Sequence, residues 1–371
     1  MIFIVQLLVF HLSNLVLFTT IKKYSTSASI FFIALSSFNV INLSFTNLLL
    51  TENLSYLFLA LIFYFFLKEK KKAIDLIALA LVSSLAIYIR PAFLLMYIAI
   101  FLIIGYKLLI KNKNVKYFIL FFVFSLTVLS IGGINTYINS KTIGILNPRS
   151  TGEYVEQIYH GSFLMKYETN IDINEKSQIM QYVYKGRYYL LNNKCKDVLL
   201  TCIGIYESPI CPKALIDCQI QSLQSKPYDY VTLTSLHLFN FFDRTYIDTY
   251  INKITDRNIF MQLGNYLVIS SFILYFFVKK NKKFRSLLFI ITFFIAINTI
   301  LYLPTKVEPR FSSPIFPLLL IVFCFYILDI VKNKQYRYLW INGIFVGLFF
   351  IMSELVNLTL KVSDIPVHLV K

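Results

Sequence analysis

Residues 92–110, AFLLMYIAIFLIIGYKLLI, and residues 117–137, YFILFFVFSLTVLSIGGINTY, decide the class of this protein. Each run is about as long as the roughly 20 residues that an α-helix needs to cross the hydrocarbon core of a bilayer. The segment between them is polar and basic, as is typical of a connection at a membrane surface. The two runs therefore predict a pair of transmembrane helices.

The composition of the whole chain agrees with this prediction. Of its 371 residues, 57% are hydrophobic and 15% are charged, and the mean hydropathy is +0.66. Too few polar residues remain to cover a water-soluble domain, and a disordered chain would have a lower apolar content. The net charge of +17 does not indicate nucleic acid as a partner, because the basic residues lie in short clusters between apolar runs.

Apolar runs of this kind recur along the chain and predict an all-α integral membrane protein. We expect about ten transmembrane helices and one large extracytoplasmic loop domain, because the runs are continuous and do not alternate in polarity. The predicted spans are 2–21, 27–46, 51–67, 74–89, 92–110, 117–137, 259–278, 286–303, 314–331 and 338–358. The predicted parts are N-terminal helices (1–137), the loop domain (138–258), C-terminal helices (259–358) and a short outer tail (359–371).

Lysine and arginine residues predict which helix ends face the cytoplasm. Basic connections alternate with connections near Thr51, near Arg90 and at 304–314 that contain little lysine. The basic connections lie at 22–23, 68–72, 111–116, 279–285 and 332–337. Because basic connections stay on the cytoplasmic side, we expect a multi-pass protein of the cell (inner) membrane whose long loop is periplasmic or extracellular.

Four cysteines lie in the predicted loop, namely Cys195, Cys202, Cys211 and Cys218. An even number of cysteines in an extracytoplasmic loop favours disulfide bonds, and four cysteines allow three pairings. Free thiols and a zinc site are the alternatives, although the loop has no Cys-x-x-Cys motif. Cys324 lies in an apolar run and is expected to be a small core residue.

Most ionisable residues within the apolar runs have a structural explanation. Asp75 and Asp329 lie near predicted cytoplasmic ends and Glu354 lies near an outer end, where we expect solvated carboxylates. His11 lies in the middle of a span, where a hydrogen-bonded core histidine is expected rather than a proton carrier.

Charged residues on the predicted outer side have no such explanation. They are Glu52, Arg90, Glu308 and Arg310. We expect a single outward-facing cavity to collect these two carboxylates and two guanidinium groups. A guanidinium presents a rigid fork of donors that suits phosphate. The alternative is that the four side chains only pair with one another.

Three motifs carry a resemblance to a known family: Thr-Glu-Asn-Leu at 51–54, Ile-Arg-Pro at 89–91 and Glu-Pro-Arg-Phe-x-x-Pro-x-x-Pro at 308–317. In this order they resemble the GT-C superfamily of membrane glycosyltransferases, in its dolichyl-phosphate-mannose protein mannosyltransferase and aminoarabinose transferase branch. The resemblance covers about residues 5–135 and 259–331. It implies an enzyme that moves a sugar from a polyprenyl-phosphate donor to a glycan, lipid or protein acceptor on the outer face.

The resemblance also implies roles for the four charged residues. Arg310 is the first candidate to bind the donor phosphate and Arg90 is the second. Glu52 and Glu308 would orient them or lie on the acceptor side. No cofactor is assigned with certainty, and a divalent metal stays open although the residues give no support for it.

The chain departs from the pattern of that family at its start. The family begins with a cytoplasmic N-terminus, one span and an acidic first outer loop, whereas no acidic residue precedes Glu52 here. We therefore expect the first helix and the catalytic loop to be missing from this sequence, through a wrong start site or a truncated gene. A truncated product is expected to be inactive, and no catalytic base is assigned.

Three other functions stay open, one of which is a purely structural membrane protein whose loop is a binding module. A polysaccharide polymerase or ligase also combines many spans with a long outer loop, and arginines in that loop, such as Arg149, Arg187 or Arg244, would favour it. A transporter is the non-enzymatic alternative. It is less favoured, because the sequence shows no internal repeat and no polar interruption at the bilayer midplane.

Overall fold

The computed structural model of the protein describes residues 2–37, 52–68, 71–90, 93–111, 113–142, 220, 224, 227–243, 259–279, 282–302 and 312–362. All regular secondary structure in these ranges is helical. The predicted all-α class is therefore confirmed for the described part of the chain.

The helices follow one another along the described ranges. They are α1 (Ile2–Lys22), α2 (Thr26–Ser37), α3 (Glu52–Phe66), α4 (Ala73–Ile89), α5 (Phe93–Gly105), α6 (Val115–Thr142), α7 (Pro227–Phe242), α8 (Ile259–Leu274), α9 (Lys282–Tyr302), α10 (Phe316–Lys332) and α11 (Arg337–Val362). A π-helical segment, Tyr106–Lys111, continues α5. Each predicted span overlaps one of these helices, while α7 lies inside the predicted loop and was not expected.

Four of the described helices are long and apolar enough to cross a membrane. The stretches concerned are Phe3–Lys22, Phe93–Lys111, Val115–Asn135 and Arg337–Leu355. Others are shorter: α3 has 15 residues and is about 22 Å long at 1.5 Å per residue, less than the roughly 30 Å of a bilayer core. The apolar helices are thus those of a membrane protein. The total of ten transmembrane helices stays a prediction.

The long helices turn apolar side chains outward, as expected for helices in lipid. On α1, Ile4, Leu8, Leu12 and Leu15 follow one another at intervals of three or four residues, and each is at least 50% exposed. A surface helix of a water-soluble protein carries polar residues on the corresponding face. The exposed stripe of α1 is therefore suited to contact with lipid.

The described residues fall into two compact units. The first contains 1–134, 267–301 and 310–343, and the second contains 135–266, 302–309 and 344–371. In the first unit α1 packs against α2 and α3, α3 against α4, α4 against α5, and α10 against α2. Every residue from Phe316 to Val322 in α10 is buried, so the first two turns of this helix are enclosed by protein on all sides. Cys324 is fully buried there, as predicted.

The prediction that Asp75 and Asp329 are solvated is wrong, because only 4% and 5% of their surfaces are exposed. Asp75 accepts a hydrogen bond from Lys68 Nζ at 2.6 Å and one from the backbone N–H of Lys72 at 2.9 Å. Asp329 accepts a hydrogen bond from the Tyr275 hydroxyl at 2.8 Å. Partners within the protein replace water at both carboxylates, which makes their burial tolerable.

Candidate functional site

Arg90 is placed by the end of helix α4. It is the C-cap residue, with φ −145° and ψ 122°, and its N–H donates to the carbonyl of Ala86. Pro91 follows in the sequence, and a proline pushes the residue before it into this extended region. The Ile-Arg-Pro sequence therefore ends α4 and leaves the Arg90 side chain beside the helix terminus.

Glu52 lies at the opposite terminus of the neighbouring helix, as the first residue of α3. Arg90 Nη2 donates a hydrogen bond of 2.9 Å to Glu52 Oε1. Both side chains are withdrawn from solvent, with 10% of the Arg90 side chain and 2% of the Glu52 side chain exposed. The structure therefore brings two of the four predicted site residues together as a buried ion pair.

The two helix termini favour the charges that they hold. A helix has a partial positive charge at its N-terminus and a partial negative charge at its C-terminus. Glu52 is in the first turn of α3 and Arg90 caps the last turn of α4. Each side chain thus lies at the helix end whose partial charge is opposite to its own. This attraction offsets part of the cost of burying the two charges.

A second buried polar contact joins α3 to α1. Tyr56 lies four residues after Glu52, hence on the same face of α3 and about 6 Å further along the axis. Its hydroxyl donates to Asn14 Oδ1 of α1. Both Tyr56 and Asn14 are almost completely buried. We call the set formed by Asn14, Glu52, Asn53, Ser55, Tyr56 and Arg90 the α3 polar cluster.

Three members of the α3 polar cluster have a side-chain donor group that makes no hydrogen bond to any described residue. Asn14 Nδ2, Asn53 Nδ2 and Ser55 Oγ are buried and have no hydrogen-bond partner among the described residues. A buried polar atom without a partner costs about 1–3 kcal/mol, so such atoms call for an explanation. A polar ligand rich in hydroxyl or phosphate oxygens would provide the missing acceptors.

The remaining site predictions concern parts of the chain outside the described residues. These are Glu308 and Arg310, the cysteines Cys195, Cys202, Cys211 and Cys218, and the loop arginines Arg149, Arg187 and Arg244. Their proposed roles and the disulfide bonds therefore stay predictions. Within the described ranges, no group of three or more His, Cys, Asp or Glu side chains is arranged to hold a metal ion.

Another buried carboxylate, Asp243, was not identified from the sequence. It directly follows α7 and is 1% exposed. Tyr266 Oη of α8 donates to one carboxylate oxygen at 2.7 Å, and Ser353 Oγ of α11 donates to the other at 2.9 Å. Gln262 Nε2 in turn donates to both hydroxyls, at 2.7 Å and 3.1 Å. These bonds tie together three helices of the second unit.

One signal in the sequence does point to helix α7. Pro227 is its first residue, a position at which proline is favoured, and Val231, Leu238 and Phe242 follow at spacings that place them on one helical face. Asp243 itself gives no such signal, because its partners lie 23 and 110 residues away in the sequence. Only the folded chain reveals the network.

Comparison with protein-family models, with curated proteins and with solved structures finds no match to this chain.

Proposed function

We propose that the protein is a membrane glycosyltransferase that moves a sugar from a polyprenyl-phosphate-linked donor to an acceptor on the outer face of the membrane. The observation that carries this proposal is the buried pair of Arg90 and Glu52 at adjoining helix ends. In it, the carboxylate of Glu52 orients the guanidinium of Arg90, and Arg90 binds the phosphate of the donor.

The chemistry of sugar transfer explains why a buried guanidinium is useful. The acceptor oxygen bonds to the anomeric carbon, the bond from that carbon to the phosphate oxygen breaks, and its electron pair leaves with the polyprenyl phosphate. The acceptor proton passes to a base that we do not assign. Negative charge therefore accumulates on the phosphate, and a cation that is already oriented in a site with little water stabilises it.

The leftover donors of the α3 polar cluster support the same function. Asn14 and Asn53 each have an amide nitrogen without a partner among the described residues, and such nitrogens suit the hydroxyls of a sugar or the oxygens of a phosphate. Apolar helices surround these groups, so a donor with a polar head and a hydrocarbon tail matches the surroundings of the site.

The finer features of the enzyme are part of the proposal. They are ten spans, a location in the inner membrane, an outer loop at 138–258 with disulfide bonds among its four cysteines, and Arg310 and Glu308 in the same site as Arg90. The alternation of basic and lysine-poor connections supports the topology. The order of the three motifs supports the grouping of the four charged residues.

The test measures binding of polyprenyl phosphate to the purified full chain by native mass spectrometry, with the uncharged polyprenol as the reference lipid. We expect the phosphate to be preferred, the preference to disappear in Arg90→Ala, and Arg90→Lys to keep only part of it, since lysine retains the charge but not the fork. Arg285→Ala is the matched control, because Arg285 is an exposed arginine of α9.

Two results would overturn the assignment of Arg90. One is an Arg90→Ala protein that remains folded and prefers polyprenyl phosphate as strongly as the unaltered chain. The other is an equal loss of preference in Arg285→Ala, which would show that any arginine contributes. Sugar transfer from polyprenyl-phosphate-mannose and polyprenyl-phosphate-aminoarabinose, measured in proteoliposomes, then tests the reaction itself.

A further inference from the structure

Lysines from three parts of the chain lie close together beside Tyr64 of α3. Lys23 Nζ, just after α1, is 4.9 Å from the centroid of the Tyr64 ring. Lys68 Nζ, just after α3, is 5.8 Å from the centroid of the same ring. The aromatic ring thus holds two ammonium groups near one another through cation–π attraction.

Lys71 adds a third ammonium group that the backbone holds in place. Its Nζ donates to the carbonyl oxygen of Phe66 at 2.9 Å and also to the carbonyl oxygen of Lys68. Burial, together with the positive charges of Lys107 and Lys68, lowers the pKa of Lys71 to about 8. Lys107, in the π-helical segment after α5, is therefore a fourth neighbour. We call Lys23, Lys68, Lys71 and Lys107 the lysine cluster.

The lysine cluster has more positive charge than its neighbouring carboxylate neutralises. Asp75 pairs with Lys68 at 2.6 Å and also caps the start of α4 through the N–H of Lys72. In the described part of the chain, Asp75 is thus the one carboxylate that forms an ion pair with a member of this group of four lysines. The contacts to Tyr64, to the Phe66 carbonyl and to Asp75 fix the positions of the Lys23, Lys68 and Lys71 ammonium groups. A bound anion would relieve the repulsion among the positive charges of the cluster.

Apolar side chains next to the lysine cluster indicate what kind of anion fits. Ile74 adjoins Asp75 in the sequence and is 65% exposed, and Ile110 lies three residues after Lys107 and is 64% exposed. A soluble anion would gain nothing from these residues. A lipid with an anionic headgroup would place its phosphate against the ammonium groups and its chains along the exposed isoleucines.

We propose that the lysine cluster binds the phosphodiester headgroup of an anionic membrane phospholipid. The cluster lies at the C-terminal end of α3, whereas Glu52 lies at the N-terminal end of the same helix. The lipid site is therefore distinct from the α3 polar cluster and does not depend on the function proposed for it.

The test uses the full chain in nanodiscs of phosphatidylglycerol or of phosphatidylcholine and needs no substitution. An amine-reactive reagent at pH 8 labels accessible lysines, and mass spectrometry follows each site. We expect phosphatidylglycerol to slow the labelling of Lys71 and Lys107 at least fivefold relative to phosphatidylcholine, while exposed Lys332 changes much less. Equal protection of all three lysines would overturn the proposal, as would equal protection of detergent-solubilised protein by millimolar inorganic phosphate.

A charge-matched pair of variants provides a second measurement. Lys71→Gln with Lys107→Gln removes two charges from the cluster, and Lys116→Gln with Lys332→Gln removes two exposed charges elsewhere. At roughly fivefold per lysine, the first pair should weaken phosphatidylglycerol binding to the purified chain about 25-fold by native mass spectrometry. The same loss in the second pair would show that the charge of the protein as a whole, rather than the lysine cluster, attracts the lipid.

Discussion

Replacing Glu52 and Arg90 singly and together tests whether they form the buried pair that the structure shows. Glu52→Leu leaves the Arg90 guanidinium buried beside an apolar side chain, and Arg90→Met leaves the Glu52 carboxylate in the same situation. Removing one member of a buried ion pair costs about 3–5 kcal/mol. We expect each single variant to lose this much free energy of unfolding, because the side chains are only 2% and 10% exposed.

The double variant, with leucine at position 52 and methionine at position 90, should behave differently. It buries no uncompensated charge, and replacement of a buried ion pair by apolar side chains of similar volume is often neutral or stabilising. We expect its free energy of unfolding to lie within about 1 kcal/mol of the unaltered protein. The coupling between the two positions is then several kcal/mol, far more than the roughly 0.5 kcal/mol expected for independent sites.

The measurement is unfolding in mixed detergent micelles, followed by circular dichroism as the denaturing detergent is increased. Additive costs in the double variant would refute the direct pairing of the two residues. Costs well below 1 kcal/mol in both single variants would refute their burial. A double variant that is stable but has lost its preference for polyprenyl phosphate would separate the binding role of Arg90 from any structural role.

Three further predictions follow from contacts elsewhere in the chain. Gly132→Ala should destabilise the protein by about 1–3 kcal/mol, because a methyl group there would lie 2.7 Å from Cε1 of Tyr88. Gly133→Ala is the control, because a methyl group there meets nothing within 4 Å, and it should be neutral or stabilise the protein by up to about 1 kcal/mol. Detergent-induced unfolding compares the two variants. Lys71 should be labelled by an amine reagent at about half its maximal rate at pH 8, because its pKa in the folded protein is about 8. Between pH 8 and 10 the Lys71 amine has lost its proton in the folded protein but keeps it in the unfolded protein, so its contribution to the free energy of unfolding should rise with pH over this range. Asp243→Asn should cost about 1–3 kcal/mol in the same unfolding assay, because the amide that replaces one carboxylate oxygen cannot accept a hydrogen bond from its hydroxyl donor.

The sequence predicted the helices more reliably than the surroundings of their charged residues. Apolar runs locate α3 and α4, and Pro91 marks the end of α4. The antiparallel hairpin that the two helices form brings residue 52 and residue 90 to the same end. The choice of partner depends on how each helix is rotated about its axis. From the sequence, both Arg90 and Arg310 were candidate ion-pair partners of Glu52. The fold shows that Arg90 contacts Glu52, while Arg310 lies outside the described residues.

Burial of carboxylates was the least predictable property. Asp75 and Asp329 were expected to be solvated because they lie near helix ends. The position of a residue along its helix, however, does not show which side chains of neighbouring segments cover its carboxylate. Lys68 and Tyr275 supply the partners that replace water. Asp243 was missed for the related reason that its donors come from helices far away in the sequence.

Glu52 and Asp243, two of the four buried carboxylates described above, suit different ligands, and this difference argues for phosphate at the first. The donors to Asp243 described above are neutral hydroxyls, which satisfy its oxygens without cancelling its charge. A phosphate beside them would meet a negative charge and be repelled. Glu52 faces a guanidinium, so the pair has no net charge and includes a cation whose donors match phosphate oxygens. Of these two carboxylates, therefore, Glu52 has the partner that the proposed polyprenyl-phosphate donor would require.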